Sequence, residues 1–140
     1  MGPRVFNVEE ANRLLPEVES VFEDLDALRE RASAIKKKMD VLEMIHGADV
    51  LKSPTPDGRE YRHFLEEVGG LRKQFEETCG RIVESGGHLK GVDEGLVDFC
   101  GVIDGRLVEL CWKRGEERIE FFHHIGEGFP GRRPIPAGVR

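Results

Sequence analysis

The stretch EVESVFEDLDALRERASAIKKKMDVLEMI, residues 17–45, decides the fold. Its apolar positions are Val18, Val21, Phe22, Leu25, Leu28, Ala32, Ile35, Met39, Leu42 and Ile45, separated almost throughout by three or four residues. At 3.6 residues per turn, that spacing gathers them on one side of a helix. A stripe of this length is costly to leave in water, so it calls for a partner along its side.

The partner follows in the sequence. Residues 60–84 carry a second stripe of Tyr61, Phe64, Leu65, Val68, Leu71, Phe75, Cys79, Ile82 and Val83. Between the two, Gly47, Pro54, Pro56 and Gly58 interrupt helical spacing, and Ser53 to Gly58 reads as a surface loop. Two stripes joined by a short connection imply an antiparallel helical hairpin. Gly69-Gly70 is the weak point, since two interior glycines cost about 1.5–2 kcal/mol relative to alanine. They mark close packing, a bend or a break.

Upstream, Asn7 with Glu10 three residues later has the form of a capping box, so residues 8–15 begin helical. Pro16 then kinks or restarts the path, because it has no amide hydrogen to donate. Downstream, Ser85-Gly86-Gly87 closes the second helix and the periodicity changes. Gly95 to Phe99 reads as a strand, and Asp104-Gly105 between Val102-Ile103 and Arg106-Leu107-Val108 reads as a two-residue hairpin turn. Along residues 107–112, Val108, Leu110 and Trp112 fall on one side and Leu107, Glu109 and Cys111 on the other. Along residues 118–124, Ile119, Phe121 and His123 oppose Glu120, Phe122 and His124. Residues 128–136 hold too many glycines and prolines for a regular element, and Phe129 is expected to anchor them. The expected fold is therefore α+β: a long antiparallel helical hairpin, residues 7–85, packed with a small C-terminal antiparallel sheet and an extended tail, residues 88–136. At 140 residues and 39% apolar composition, one domain spanning residues 1–140 is expected.

Composition narrows the function classes. No run of 18 apolar residues occurs, and no leader pattern opens the chain, which implies a cytoplasmic location and no membrane span. A formal net charge of -6, from 21 basic and 27 acidic residues, argues against a broad nucleic-acid surface. Neither glycine-rich nucleotide fingerprint is present. Lys36-Lys37-Lys38 reads as a solvated helix face, and Arg132-Arg133 is the one candidate anion-binding pair in the tail.

Cys79, Cys100 and Cys111 lack the C-x-x-C spacing of zinc knuckles and redox pairs. The densest polar constellation is instead Asp93, Asp98, Cys111, Glu120, His123 and His124, whose carboxylate, thiolate and imidazole groups are all workable ligands for a divalent metal. The metal candidates are His123, His124 and Asp98, with Cys111 and Glu120 as further site residues. Adjacent histidines on a strand diverge, so one of the two is expected to serve, with Asp98 or Cys111. A Cys111 nucleophile with His123 as base would need the two strands to bring sulfur and imidazole to about 3 Å.

The chain also resembles the prokaryotic family catalogued as domain of unknown function 2203. The likeness rests on residues 6–16, on Gly95 to Phe99, on Leu110 to Glu116 and on Phe129 to Arg133. The resemblance implies a long-helix domain ending in a sheet and carries no reaction. With no complete catalytic motif, the long stripes favour a noncatalytic protein-interaction or assembly module, homo-oligomeric or bound to a protein partner. The alternative is a small metal-dependent enzyme, a hydrolase among the options, with its site on the C-terminal sheet.

Overall fold

A computed structural model describes residues 4–139. Two packed helices are followed by a five-stranded antiparallel sheet, the α+β architecture expected from the stripes. The elements are α1 (Val8–Asn12), α2 (Leu15–His46), a 3-10 turn (Gly47–Lys52), α3 (Pro56–Glu84), β1 (His88–Gly91), β2 (Leu96–Ile103), β3 (Arg106–Lys113), β4 (Phe121–His124), a second 3-10 turn (Phe129–Gly131) and β5 (Arg133–Pro134). They fall into two compact units, Met1–Phe22 with Cys79–Arg140, and Glu23–Thr78.

The Glu23–Thr78 unit is the helical hairpin. Its core is Ile35, Leu42, Val50, Tyr61, Phe64 and Leu71, with Leu28, Ala32, Met39 and Val68 packed against it. The Tyr61 hydroxyl donates to Glu43 at 2.7 Å, and His46 Nε2 meets Asp57 at 2.7 Å across the connection. The second helix starts four residues earlier than the apolar stripe suggests. Thr55 takes the capping position, its hydroxyl accepting from the Gly58 amide at 3.3 Å, and Pro56 follows where a missing amide hydrogen costs nothing. The prolines that signalled a loop thus open a helix. Gly69 and Gly70 interrupt nothing: α3 runs through them, and a Cβ at either would meet no atom within 4 Å. Ile45 and Leu65, both in the apolar stripes, are exposed.

In the other unit, Asn7 and Glu10 form the expected capping box, at 2.7 and 2.9 Å, and Pro16 sits in the first turn of α2. The sheet order is β1-β2-β3-β4-β5. Residues 96–103 form one continuous strand, joined to β3 by Asp104 (φ 52°) and Gly105 (φ 74°), the left-handed pair a tight hairpin demands. The broken tail yields β5, two residues paired with β4. The inner face of the sheet buries Val97, Phe99, Val108, Leu110 and Trp112. Phe22 approaches Trp112 with ring centres 6.1 Å apart, and Phe6 meets Phe99 edge to face at 5.4 Å. The Phe6 amide donates to the Cys100 carbonyl at 2.7 Å, and the Ile119 amide donates to Asn12 Oδ1 at 2.7 Å, so residues 6–12 are tied at two points to β2 and to the segment that leads into β4.

Gly101 lies under the first of these ties, where an added Cβ would stand 2.8 Å from the Leu110 side chain and 3.1 Å from the Phe6 carbonyl oxygen. Gly101→Ala is expected to destabilise the protein by about 1–3 kcal/mol, as overpacking does. Gly69→Ala, in open space on α3, is expected to stabilise it by up to about 1 kcal/mol. Urea unfolding of both variants gives the two signs.

Candidate metal centre

The site follows from strand alternation. In the β2–β3 pair, Asp98 lies directly opposite Cys111 and Phe99 opposite Leu110. Since Phe99 and Leu110 fill the inner face, Asp98 and Cys111 must leave from the outer one. On the next strand His123 pairs with Glu109, two residues from Cys111 and therefore on the same face. Three neighbouring strands thus bring Asp98, Glu109, Cys111 and His123 together.

These groups are buried: Asp98 is 3% exposed, Cys111 2% and His123 1%. Residues 125–132 cross the outer face above them and help enclose a cavity of about 380 Å³, lined by Asp98, Glu109 and Cys111 with Lys90, Leu96, Ile125, Gly126, Gly128 and Phe129. Gly126 (φ 88°) and Gly128 (φ 71°) give this strap its left-handed bends. Arg132 fastens it. Its guanidinium donates to Glu116 at 2.6 Å and to the Cys111 carbonyl at 3.2 Å, and lies 4.2 and 4.8 Å from the ring centres of Phe121 and Phe129.

The His123 ring can be oriented from its neighbours. Nδ1 stands 3.0 Å from the His124 carbonyl oxygen, which can only accept, and 3.3 Å from Glu109 Oε2. A carboxylate also only accepts, so each ring nitrogen faces an acceptor and a single ring hydrogen can serve one side only. Nε2 faces Asp98 Oδ2 at 3.0 Å, where either a ring hydrogen or a metal ion can lie between the two. Asp98 Oδ1 is buried with no hydrogen-bond partner. Ligand atoms of Asp98, Cys111 and His123 all lie within 4.8 Å of one another, the one such group among the described residues. Tetrahedral zinc with these ligand types sets neighbouring ligand atoms about 3.3–3.8 Å apart, so small side-chain rotations close the set on an ion. The three can coordinate a divalent metal.

Burial pushes the Cys111 thiol up to about 12, and the adjacent Asp98 carboxylate pushes the same way, against a smaller opposing pull from Arg132. Without a cation the sulfur therefore keeps its proton at neutral pH, as a thiol rather than a nucleophilic thiolate.

The other residues singled out from the sequence lie elsewhere. His124 is on the inner face against Phe122, ring centres 5.8 Å apart, with Nδ1 buried and unpartnered. Glu120 is exposed and pairs with Arg118 at 3.2 Å. Asp93 is exposed before β2. Arg133 holds both oxygens of Glu127 at 3.0 Å, and Arg132 is engaged as described. Glu109 was not singled out from the sequence, although its two-residue offset from Cys111 puts it on the same face. A wider groove of about 810 Å³ runs along residues 117–121 and 134–139; its charged side chains are Glu9, Glu117, Arg118 and Glu120, and it contains neither thiol nor imidazole.

The family model described as "Uncharacterized conserved protein (DUF2203)" matches residues 4–135. The chain belongs to the DUF2203 family. No match was found among curated proteins or among solved structures. Among the described residues of this DUF2203 chain, no helix is long and apolar enough to cross a membrane.

The raised Cys111 value has a direct reactivity consequence. In metal-free protein at pH 8, iodoacetamide is expected to label Cys79 and Cys100, both partly exposed, well before Cys111. The Cys111 rate should still be climbing above about pH 10, where an ordinary thiol has largely levelled off. Peptide mapping by mass spectrometry checks both.

Proposed function

We propose that the protein is a small metal-dependent enzyme, a hydrolase, whose metal is held by Asp98, Cys111 and His123. The observation that carries this reading is the buried triad itself: ligand atoms of Asp98, Cys111 and His123 lie within 4.8 Å of one another, with Asp98 Oδ2 3.0 Å from His123 Nε2, beside a cavity. A buried carboxylate that leans on an imidazole and a thiol is a ligand set that a coordinated cation would draw together. The thiol selects among metals. Sulfur favours zinc or ferrous iron over magnesium and calcium, which prefer all-oxygen shells.

Three protein ligands next to a cavity match the open coordination of catalytic sites, whereas structural sites close with four. When bound, such an ion would act as a Lewis acid and lower the pKa of a water molecule in the cavity. The chain supplies the rest. The His124 carbonyl and Glu109 face Nδ1, which leaves Nε2 for the Asp98 side. Arg132 fixes the Cys111 backbone from the strap, and Leu96, Ile125 and Phe129 give the cavity apolar walls.

A second reading, self-association as an assembly module, is favoured by one separate feature. Val41, Met44 and Ile45 lie at helical spacing on one exposed patch of α2, Met44 at 84% exposure.

Titration calorimetry of metal-free, reduced protein with zinc is expected to show one equivalent bound per chain. Asp98→Asn and Cys111→Ser should each weaken binding by at least about tenfold, with folds retained by circular dichroism. Wild-type affinity in both variants would remove the triad as the site. For self-association, sedimentation over a wide concentration range should show dimers that Met44→Glu abolishes; a monomer at every concentration would rule it out.

A further inference from the structure

The charges and walls of the cavity specify the kind of substrate the proposed metal site would take. The inference rests on the metal reading above and goes one step past it. Around a bound divalent ion, the Asp98 carboxylate and the Cys111 thiolate contribute two negative charges and cancel the two positive ones. The other charged pair on the cavity wall, Lys90 and Glu109, has Nζ and Oε1 4.0 Å apart and also sums to zero. Beyond the lining, Arg132 donates to Glu116 at 2.6 Å and to the Cys111 carbonyl, and Lys113 Nζ lies 5.5 Å from the Phe129 ring centre. Among the residues that line it, the charges of a metal-loaded cavity therefore sum to zero.

Phosphoryl chemistry needs the opposite. Charge on the transferring group is spread over several oxygens and is stabilised by converging cations or by a phosphate-cradling loop. Neither glycine-rich phosphate fingerprint occurs in the chain. The walls, by contrast, offer Leu96, with Ile125 at 59% and Phe129 at 40% exposure. Large apolar side chains left accessible at the mouth of a cavity contribute binding free energy by desolvating an apolar ligand group.

We infer that the cavity takes a small uncharged acyl compound, an ester or amide with one apolar group of modest size, and not a phosphate ester. For an ester, the water oxygen forms a new bond to the acyl carbon and the acyl carbon–alkoxy oxygen bond breaks. One water proton ends on the departing alcohol and the other stays with the carboxylic acid, with no change in oxidation state. The carbonyl points to the Asp98 and Cys111 corner, and the apolar group lies against Ile125 and Phe129.

The test uses the full chain loaded with zinc and two probes that share a phenyl ring, neutral benzohydroxamic acid and anionic phenylphosphonate, titrated by calorimetry. The hydroxamic acid is expected to bind at least about tenfold more tightly, and Ile125→Asp and Phe129→Ala are each expected to weaken it about tenfold, the scale of one lost apolar contact area, while zinc stoichiometry stays at one. With 4-nitrophenyl butyrate, Ile125→Asp should raise KM more than it lowers kcat. Phenylphosphonate binding as tightly as the hydroxamic acid would overturn the inference, as would hydroxamic acid binding that neither variant changes. Zinc uptake with no binding of either probe would overturn it while leaving the metal site standing. Failure of the wild type to take up zinc would overturn both.

Discussion

The pairing of β2 with β3 is the constraint on which the candidate site depends. Asp98 opposite Cys111 and Phe99 opposite Leu110 are consequences of one register. Side chains alternate along a strand, so the same register that turns Val97, Phe99, Leu110 and Trp112 inward leaves Asp98, Glu109 and Cys111 outward. A slip of one residue would put a carboxylate and a thiol into the hydrophobic face and an indole into the cavity. The apolar core therefore holds the polar site in place with its own packing free energy. The Asp104-Gly105 turn sets where that pairing begins.

The helices were legible because their signal repeats. Ten apolar positions at helical spacing outweigh any single exception, and the Asn7–Glu10 cap gives a local start with its own hydrogen bonds. The second helix was read four residues short because Pro54 and Pro56 look the same in a loop as in a helix opening. What separates the two is the Thr55 hydroxyl bond to Gly58, which is geometry and not composition. Strands β1 and β5 left little trace: one is four residues long and the other two, too short for alternation to show.

At the site, sequence supplied the donors but not the choice among them. Opposite faces for His123 and His124 follow from alternation alone. Which of them meets Asp98 depends on the β3–β4 register, which sets His123 opposite Glu109 on the Cys111 face and Phe122 opposite Leu110 on the inner one. Glu109 was visible on the Cys111 face of its strand, but its approach to His123 requires the β3–β4 register, which pairs residues 14 positions apart through a turn of irregular shape. Residues 128–132 show no regular pattern in sequence because the fastening there is a guanidinium set against two rings and a carboxylate.

The ties from Phe6 to Cys100 and from Asn12 to Ile119 also bear on the order of events during synthesis. The second joins residues 107 positions apart. A chain emerging from the ribosome N-terminus first holds its capping box and the beginning of α2 long before their partners exist. Contacts within Glu23–Thr78 are complete once residue 78 is free, so the hairpin can settle early by local steps. The sheet unit must wait for Ile119. Until then Phe6, Val18, Val21 and Phe22, all buried at the end, are exposed on a growing chain, which makes the interval between residues 78 and 119 the stretch of translation in which the nascent protein most needs shielding from other chains.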